Sequence, residues 1–306
     1  MKDYKYISAL SEKEVEDNVV IACTDENGNR TILIKNSTER TTTFRSETDN
    51  LIIQSDAVLD FNGKNCYFHI ITAIKNDIFA AEQFEIIYEY VFKRIDRPIS
   101  GAELLVLVNS LEEFFKITPE KDQVAFQVGV AGELLTVKNL YDAGYSKILI
   151  KYHKDFFSKH DIEINDKVRI EVKTTAKSKR IHKFSHDQIC RKDVSVYVCS
   201  VMLELSQEGK SLFDLFNEVI SLYSDAENIF GLRKLMKRCG VTEEKPGIVF
   251  AGEKAINQFS IFDAKDLPKI ESDPPKGVTN IYYDVDCSLA DSLNIDNFVD
   301  YLTKCE

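Results

Sequence analysis

The chain has 306 residues, of which 44% are hydrophobic and 29% are charged, and its net charge is −11. This composition is typical of a globular protein with room for two domains, or for three lobes around one enzyme core. The negative charge argues against a protein that coats nucleic acid indiscriminately. No apolar stretch of about 18 residues is present, so we expect no transmembrane helix and no membrane partner.

Two further features predict a cytoplasmic protein. The N-terminal segment carries charges throughout and lacks the apolar run of a signal peptide. The seven cysteines are scattered and form no C-x-x-C pair. We therefore expect reduced thiols in the cytoplasm, and neither disulfides nor a zinc site.

Residues 1 to 118 predict a β-rich lobe followed by helices. An apolar run up to Thr24, a turn signal at residues 25–29 and a return at residues 31–34 indicate a hairpin. Further short strands are predicted at residues 51–53, 57–61 and 66–71. Helical periodicity follows at residues 77–97 and 100–115, and Ser100 with Glu103 predicts a capping box for the second helix. A break then places a domain boundary near residue 119.

The next part, residues 119 to 206, opens with a predicted helix at about residues 122–144. Glu133 lies in its otherwise apolar segment GVAGELL, where Gly129 and Gly132 should allow close packing. A carboxylate on a mostly buried face is costly unless it has a partner, and a metal site is one such partner. Glu133 is therefore a candidate ligand.

Two predicted strands follow, and their alternation brings acidic and basic side chains together. Residues 168–173 alternate between apolar and charged side chains, so Glu171 and Lys173 share one face. The run DIEI, which begins at Asp161, alternates as well. A turn at residues 165–167 would bring Asp161 alongside Glu171. The pattern predicts two carboxylates and an ammonium group at one sheet edge.

These residue types suit metal-dependent phosphate chemistry. Carboxylate oxygens hold Mg²⁺, which activates a water and stabilises charge on phosphate oxygens. A lysine beside the metal orients that water or offsets the charge, and the carboxylates favour its ammonium form. The alternative is an ordinary Glu–Lys pair on a solvated strand, with Asp161 as a turn or cap residue. Short spacing alone does not separate the two.

The surrounding window is basic. Between Lys151 and Asp193 there are twelve Lys or Arg against seven Asp or Glu, so the window carries +5 and the rest of the chain −16. A basic rim around carboxylates suits a phosphodiester substrate, whereas the run at residues 177–180 taken alone could be a solvated face. The candidate nucleic-acid contacts are Lys177, Lys179, Arg180, His182 and Ser185.

The remaining elements complete a mixed α and β chain. Residues 185–191 predict a short helix that carries Gln188, and residues 194–205 predict an apolar strand. Residues 207–306 predict an α+β lobe without catalytic spacing. Its helices are expected at residues 211–224, 226–239 and 290–305, and its strands at 247–251, 257–264 and 280–285. A second basic cluster in this lobe could grip a backbone or be merely exposed; it comprises Arg233, Lys234, Lys237 and Arg238.

The order of these elements, with Asp161, Glu171 and Lys173, resembles the PD-(D/E)XK nuclease superfamily. The expected order is helix, strand, Asp-bearing strand, Glu-x-Lys strand, helix, strand. The segments GVAGELL, HDI, EVKTT, HKFSHDQ and FSIFDAKDLP are similar to a bacterial group of PD-(D/E)XK motif proteins found in restriction-modification or phage-defence loci. The likeness covers most of the chain, and its specific part is residues 129 to 188.

The resemblance implies a fold, an activity and a set of roles. The fold would be α/β (α+β), with a restriction-endonuclease-like αβββαβ core at residues 119–206 between an N-terminal and a C-terminal lobe. Glu133, Asp161 and Glu171 would bind Mg²⁺ or Mn²⁺, Lys173 would be the catalytic lysine, and Gln188 would support them. The activity would be metal-dependent cleavage of DNA. Partners would be DNA, a second copy of the chain, and a methyltransferase or ATPase encoded alongside.

Two positions depart from the family pattern. Ala131 stands where we expect Trp, and Ile162 stands where we expect Phe. Both are packing positions, and the four chemical positions are intact, which favours an active enzyme. Other interpretations are a catalytically silent DNA- or protein-binding subunit, an RNA nuclease, and a repair nuclease acting on branched DNA.

Overall fold

The computed structural model describes residues 4–37, 44–48, 50–61, 63–74, 78–117, 120–152, 161–191, 193–251, 258–272, 275–278 and 280–305. The chain forms two compact units: Met1–Ile117 with Ser224–Lys234, and Thr118–Tyr223 with Leu235–Glu306. Both contain helices and sheets, which confirms the mixed α and β class. The predicted boundary at residue 119 lies outside the described residues, and the division into three parts stays a prediction.

The first unit contains an antiparallel sheet of five strands with the order β1-β2-β5-β4-β3. The short helix α1 (Glu12–Asp17) precedes it. The strands are β1 (Val20–Thr24), β2 (Arg30–Lys35), β3 (Arg45–Glu47), β4 (Leu51–Phe61) and β5 (Lys64–Ala73). β1 and β2 form the predicted hairpin. The strands predicted at residues 51–53 and 57–61 are one strand, interrupted by an irregularity between Gln54 and Ala57.

Two long helices follow the sheet, α2 (Ile78–Arg94) and α3 (Gly101–Lys116). Their apolar sides share one core with the sheet, in which Phe84 and Leu107 are buried with strand residues such as Ile53. The predicted capping box is confirmed, because the Ser100 hydroxyl accepts from the Glu103 amide and the Glu103 carboxylate accepts from the Ser100 amide.

The second unit begins with helix α4 (Gln123–Asp142) and the short helix α5 (Ile148–Lys151). A strand, not a helix, was expected between α4 and Asp161. Ile148 is fully buried while Ile150 is 66% exposed. In a strand these two side chains would share a face, whereas in a helix they point in different directions. Helical geometry therefore satisfies the burial of Ile148.

The central sheet of this unit has the order β12-β9-β7-β6. Its strands are β6 (Ile162–Glu163), β7 (Val168–Thr175), β9 (Ser195–Met202) and β12 (Phe259–Asp263). β7 runs antiparallel to β6 and parallel to β9. Between β7 and β9 the chain forms β8 (Ile181–Ser185) and helix α6 (His186–Ile189). The described order is α4-α5-β6-β7-β8-α6-β9. It contains three strands between α4 and α6, but not the predicted three, because α5 lies where the first strand was expected and the unpredicted β8 follows β7.

The remaining elements border this core. β10 (Leu205–Ser211) pairs with β11 (Val249–Phe250), and β8 pairs with β13 (Tyr282–Asp286). Helices α7 (Leu212–Ile220), α8 (Ala226–Arg238) and α9 (Ile295–Lys304) match the predicted ones, with shorter ends. β10 was not predicted; its residues are mostly polar and exposed, so it has no alternating pattern. None of the helices in the described part of the chain could cross a membrane.

Helix α4 lies close against β7 because of one glycine. A Cβ atom on Gly132 would stand 1.7 Å from the Oγ1 atom of Thr174. Gly129 is different, since among the described residues nothing lies within 4 Å of the corresponding position. The packing role predicted for Gly132 is confirmed, and the one predicted for Gly129 is wrong. The close approach places the next residue, Glu133, beside the sheet.

Candidate active site

A tight turn sets the register of the two acidic strands. The Oδ1 atom of Asn165 accepts hydrogen bonds from the amides of Lys167 and Val168 at 2.8 and 3.0 Å. Ile162 then pairs with Ile170, as predicted for an antiparallel pair. Asp161 immediately precedes this pair and reaches across to β7, where its Oδ2 atom accepts from the backbone amide of Val172 at 2.6 Å. The register thus brings Asp161 alongside Glu171.

Glu171 is the centre of a buried polar cluster. Its side chain is 3% exposed, and its Oε1 atom lies 2.7 Å from the Nζ atom of Lys173. The same oxygen accepts a hydrogen bond from Gln188 at 2.6 Å. Side chains two apart on a strand share a face, so β7 presents Glu171 and Lys173 together, as the alternation predicts. Charge-assisted bonds of this kind are short and strong, and they fix the direction of the carboxylate.

Gln188 is held in turn by the start of helix α6. Its Oε1 atom accepts from the backbone amide of Ser185 at 3.0 Å and lies 3.5 Å from the Nζ atom of Lys173. The Lys173 ammonium group also lies 5.1 Å from the centre of the Phe184 ring, within the range of a cation–π contact. The capping box of α6 therefore orients both Gln188 and the lysine.

Glu133 joins the same group of charges from helix α4. Burial, followed by the negative charge of Asp161, raises the pKa of Glu133 to about 8, and Glu171 adds to the effect. The hydroxyl of Tyr152 donates to Glu133 at 3.0 Å and opposes the shift. Asp161 and Glu171 therefore belong to the electrostatic surroundings of Glu133.

Tyr152 is a site residue that sequence reasoning missed. It forms a β-bridge with Ile162, which holds its ring beside the Asp161 end of β6. Burial and the neighbouring Glu133 raise the pKa of its hydroxyl well above the usual value, so Tyr152 is a hydrogen-bond donor at neutral pH. It lies in an apolar stretch with no motif, so the sequence contains no signal for this contact.

The donor chemistry of the cluster fits a hard divalent cation. In the described part of the chain, no three or more His, Cys, Asp or Glu side chains are grouped so that they could hold a metal ion as they stand. Glu133, Asp161 and Glu171 each accept a hydrogen bond from a protein group. A carboxylate offers about four acceptor positions, so such a bond is compatible with metal binding. Burial and the charge of Asp161 both disfavour the ionised form of Glu133, and a bound cation would offset this cost.

The candidate nucleic-acid residues fall into two groups. Lys177 and Lys179 are exposed. Arg180 donates three hydrogen bonds of 2.8 Å, to the carbonyl and hydroxyl of Ser200 and to the carbonyl of Gln258. The Nε2 atom of His182 lies 2.6 Å from the same hydroxyl, and burial first, then nearby cations, lowers the pKa of His182 to about 4.

Arg180, His182 and Ser185 thus have structural positions. Arg180 and His182 connect β8 to β9 through Ser200, and Ser185 caps helix α6. A role of any of the five residues in nucleic-acid binding stays a prediction. Ser200 is fully buried inside an apolar strand, where a single serine gives no sequence signal of this function.

The two departures from the family pattern are confirmed as packing positions. Ala131 and Ile162 are both fully buried. Neither side chain carries a polar group, so the smaller residues change the local packing and leave the polar cluster of Glu171, Lys173 and Gln188 as described.

The comparison with known families decides the family of the chain. Residues 4–288 match the DUF4420 family, described as "Putative PD-(D/E)XK family member". The chain belongs to this family. Membership of a PD-(D/E)XK family indicates a nuclease-like function. No curated protein and no solved structure matches the chain.

Proposed function

We propose that this PD-(D/E)XK family member is a metal-dependent DNA endonuclease, the restriction component of a bacterial restriction-modification or phage-defence system. The observation that carries the proposal is the convergence of Glu133, Asp161 and Glu171 beside Lys173, through the contacts described above. An ordinary Glu–Lys pair on a solvated strand would be exposed, whereas Glu171 is 2% exposed. Burial of charged groups is costly, and substrate chemistry is a reason to keep them.

Each residue has a role that follows from its contacts. Asp161 and Glu171 would hold the metal, and Glu133 would complete the site. When bound, a divalent cation supplies an activated water and stabilises charge on the phosphate oxygens. Mg²⁺ is the expected ion, and Mn²⁺ would substitute for it.

Lys173 acts in the proposal as a cation. Its Nζ atom lies 2.7 Å from a Glu171 oxygen, which is the distance of an ion pair. It therefore donates hydrogen bonds to the attacking water or to a phosphate oxygen, and it offsets the charge that develops there. Gln188 fixes Glu171 and Lys173 relative to each other, because its amide group lies against both.

The partners and location of the proposed enzyme follow from its chemistry. Cleavage of both strands of a duplex requires two active sites, so we propose a homodimer as the acting form. A methyltransferase or ATPase encoded alongside is the proposed partner, and the cytoplasm is the proposed compartment.

The deciding experiment is cleavage of unmodified plasmid and phage DNA by the purified protein with Mg²⁺, Mn²⁺ or EDTA. Glu171→Gln removes one metal-binding charge with little change of shape. Glu163→Gln is the matched control, because Glu163 lies on the neighbouring strand and pairs with Arg169 at 3.2 Å, outside the cluster. We expect metal-dependent cleavage that Glu171→Gln abolishes and Glu163→Gln retains. Cleavage that persists equally in both variants would reject the proposal.

A second function is favoured by one observation. Each predicted metal ligand already accepts a hydrogen bond from a protein group, and this arrangement would also suit a catalytically silent subunit that binds DNA or protein. Such a subunit would bind DNA equally well with Mg²⁺ or EDTA, and replacement of Glu133, Asp161, Glu171 or Lys173 would leave its binding unchanged. RNA and branched DNA serve as further substrates in the same assay, since the same bond is cleaved in each.

A further inference from the structure

The end of helix α8 is anchored to the start of helix α4 by bonds that do not involve the Arg238 side chain. Gln127 on α4 donates to the carbonyl of Cys239 at 2.7 Å and accepts from the amide of Ile248 at 2.9 Å. The amide of Glu120 donates to the carbonyl of Arg238 at 3.0 Å. These bonds fix the backbone position of Arg238 whatever its side chain does.

The side chain of Arg238 lies on the face of α4 that carries Glu133. Its guanidinium carbon is 5.0 Å from the centre of the Phe126 ring. Phe126 and Glu133 are seven residues apart, which is close to two helical turns, so they share a face about 10 Å apart along the axis. The positive charge of Arg238 also lowers the pKa of Glu133. Arg238 therefore lies on the face of α4 that carries Glu133, about two helical turns away.

Arg238 has an acidic partner that a phosphate could replace. Its Nη2 atom lies 2.6 Å from the Glu120 carboxylate, and the two side chains are 40% and 42% exposed. An ion pair with this much solvent contact is weak. A guanidinium has five donors and binds phosphate through two of them at once, as it does a carboxylate.

We propose that Arg238 binds a backbone phosphate of the substrate strand at a distance from the bond that is cleaved, and that this phosphate takes the place of Glu120. The inference rests on the proposed nuclease function. The separation of about 10 Å between Phe126 and Glu133 means that this phosphate is not the one that is cleaved. Arg238 is thus a positioning residue, which holds the strand while the carboxylate cluster acts on another phosphate.

Two other residues of the second basic cluster, Arg233 and Lys234, form ion pairs with acidic residues of the first unit. Lys234 lies 3.2 Å from Glu113, and Arg233 lies 4.0 Å from Glu89. Both acids belong to the first unit, as do Arg233 and Lys234 themselves. Lys234 therefore provides a comparison charge on the same helix, whose described ion pair lies within the first unit.

The test measures binding of a fluorescent DNA duplex to the full-length protein in EDTA over a range of salt concentrations. The slope of log K against log[salt] is negative. Removal of one phosphate contact should reduce its magnitude by about 0.9 and weaken binding about tenfold. We expect this for Arg238→Gln and not for Lys234→Gln. Arg238→Lys keeps the charge and should keep the slope. In Mg²⁺, Arg238→Gln should raise KM far more than it lowers kcat.

Glu120→Gln separates the proposal from a structural role. It breaks the same ion pair as Arg238→Gln but leaves the arginine available, so we expect DNA binding as tight as in the wild type or tighter. Equal weakening by the two variants would overturn the proposal, because both would then act by breaking the pair. An unchanged slope in Arg238→Gln would overturn it as well. A wild-type protein that neither binds nor cleaves any nucleic acid would overturn the proposed function, and this inference with it.

Discussion

The carboxylate cluster and the basic stretch at residues 177–183 differ in what the sequence revealed about their charged side chains. Asp161, Glu171 and Lys173 lie where strand alternation predicts, and their polar groups meet. In the basic stretch, two of the predicted contacts, Arg180 and His182, are hydrogen-bonded to Ser200 within the fold, and their role in nucleic-acid binding stays a prediction. The spacing of residues on a strand fixes the direction in which their side chains point. An excess of Lys and Arg in a stretch of sequence does not show whether these side chains bind a partner or form hydrogen bonds inside the fold.

The largest expected effect is a loss of cleavage rate that occurs in the carboxylate cluster and not in the basic stretch. Lys173→Ala should lower the rate of DNA cleavage by about 10²- to 10³-fold, because it removes a charge that stabilises the transition state. Lys177→Ala should leave kcat unchanged, because the Lys177 side chain is exposed and lies in the basic stretch, outside the carboxylate cluster. Lys173→Arg, which keeps a cation beside buried Glu171, controls for folding. Equal kcat in Lys173→Ala and the wild type would remove Lys173 from the mechanism.

The next effect concerns the approach of α4 to β7, on which the carboxylate cluster depends. Gly132→Ala should lower the free energy of unfolding by about 3 kcal/mol, because its Cβ would meet Thr174 at 1.7 Å. Gly129→Ala has space and improves helix propensity, so it should be neutral or stabilising. Chemical denaturation of both variants measures the difference. Similar stabilities would show that α4 can move away from the sheet without cost.

A smaller effect tests the structural role of the basic stretch. Arg180→Gln should lower the free energy of unfolding by about 2 kcal/mol, since it removes charge-assisted bonds to Ser200 and Gln258. Lys179→Gln should change it by less than about 0.5 kcal/mol, since the side chain is exposed. The DNA-binding salt slope is measured on the same pair. A stable Arg180→Gln variant with a smaller salt dependence of DNA binding would show that Arg180 contacts DNA and is not needed for the fold.

The last effect is a pH dependence of the free energy of unfolding that comes from Glu133. Its pKa is raised from 4.5 to about 8 in the folded protein. The folded state therefore binds the proton more tightly than the unfolded state, and stability should fall as pH rises from about 4.5 to about 8. Glu133→Gln should remove this decline in EDTA and raise stability at pH 8.

Thermal unfolding of wild type and Glu133→Gln across this pH range, with EDTA or Mg²⁺, checks the effect. Mg²⁺ should stabilise the wild type more than the variant, because a ligand stabilises the state that binds it. Parallel pH curves for the two proteins in EDTA would contradict the raised pKa.

Much of the site could be predicted because it depends on local geometry. The turn at Asn165, the alternation that puts Glu171 with Lys173, and the cap that starts helix α6 all follow from residues close together in the chain. Each is governed by fixed backbone periods or by bonds within a few residues. The order of elements followed only in part, because α5 lies where a strand was expected and β8 was not predicted.

Other features were decided by the tertiary structure. β8 leaves the central sheet and pairs with β13, about a hundred residues further along. Tyr152 meets Glu133 across 19 residues, and Arg238 meets Phe126 across more than a hundred. Such contacts depend on how whole elements pack, and no local period encodes them.

The sequence by itself determined the strand faces, the helix caps and the chemical types at the carboxylate cluster. Only the tertiary structure decided which charged side chains form hydrogen bonds inside the fold, as Arg180 does with Ser200. It also decided which of them lie against helix α4, as Arg238 does at Phe126. The physical reason is that a buried charged group needs a partner, and the partners available at each position are set by distant parts of the chain.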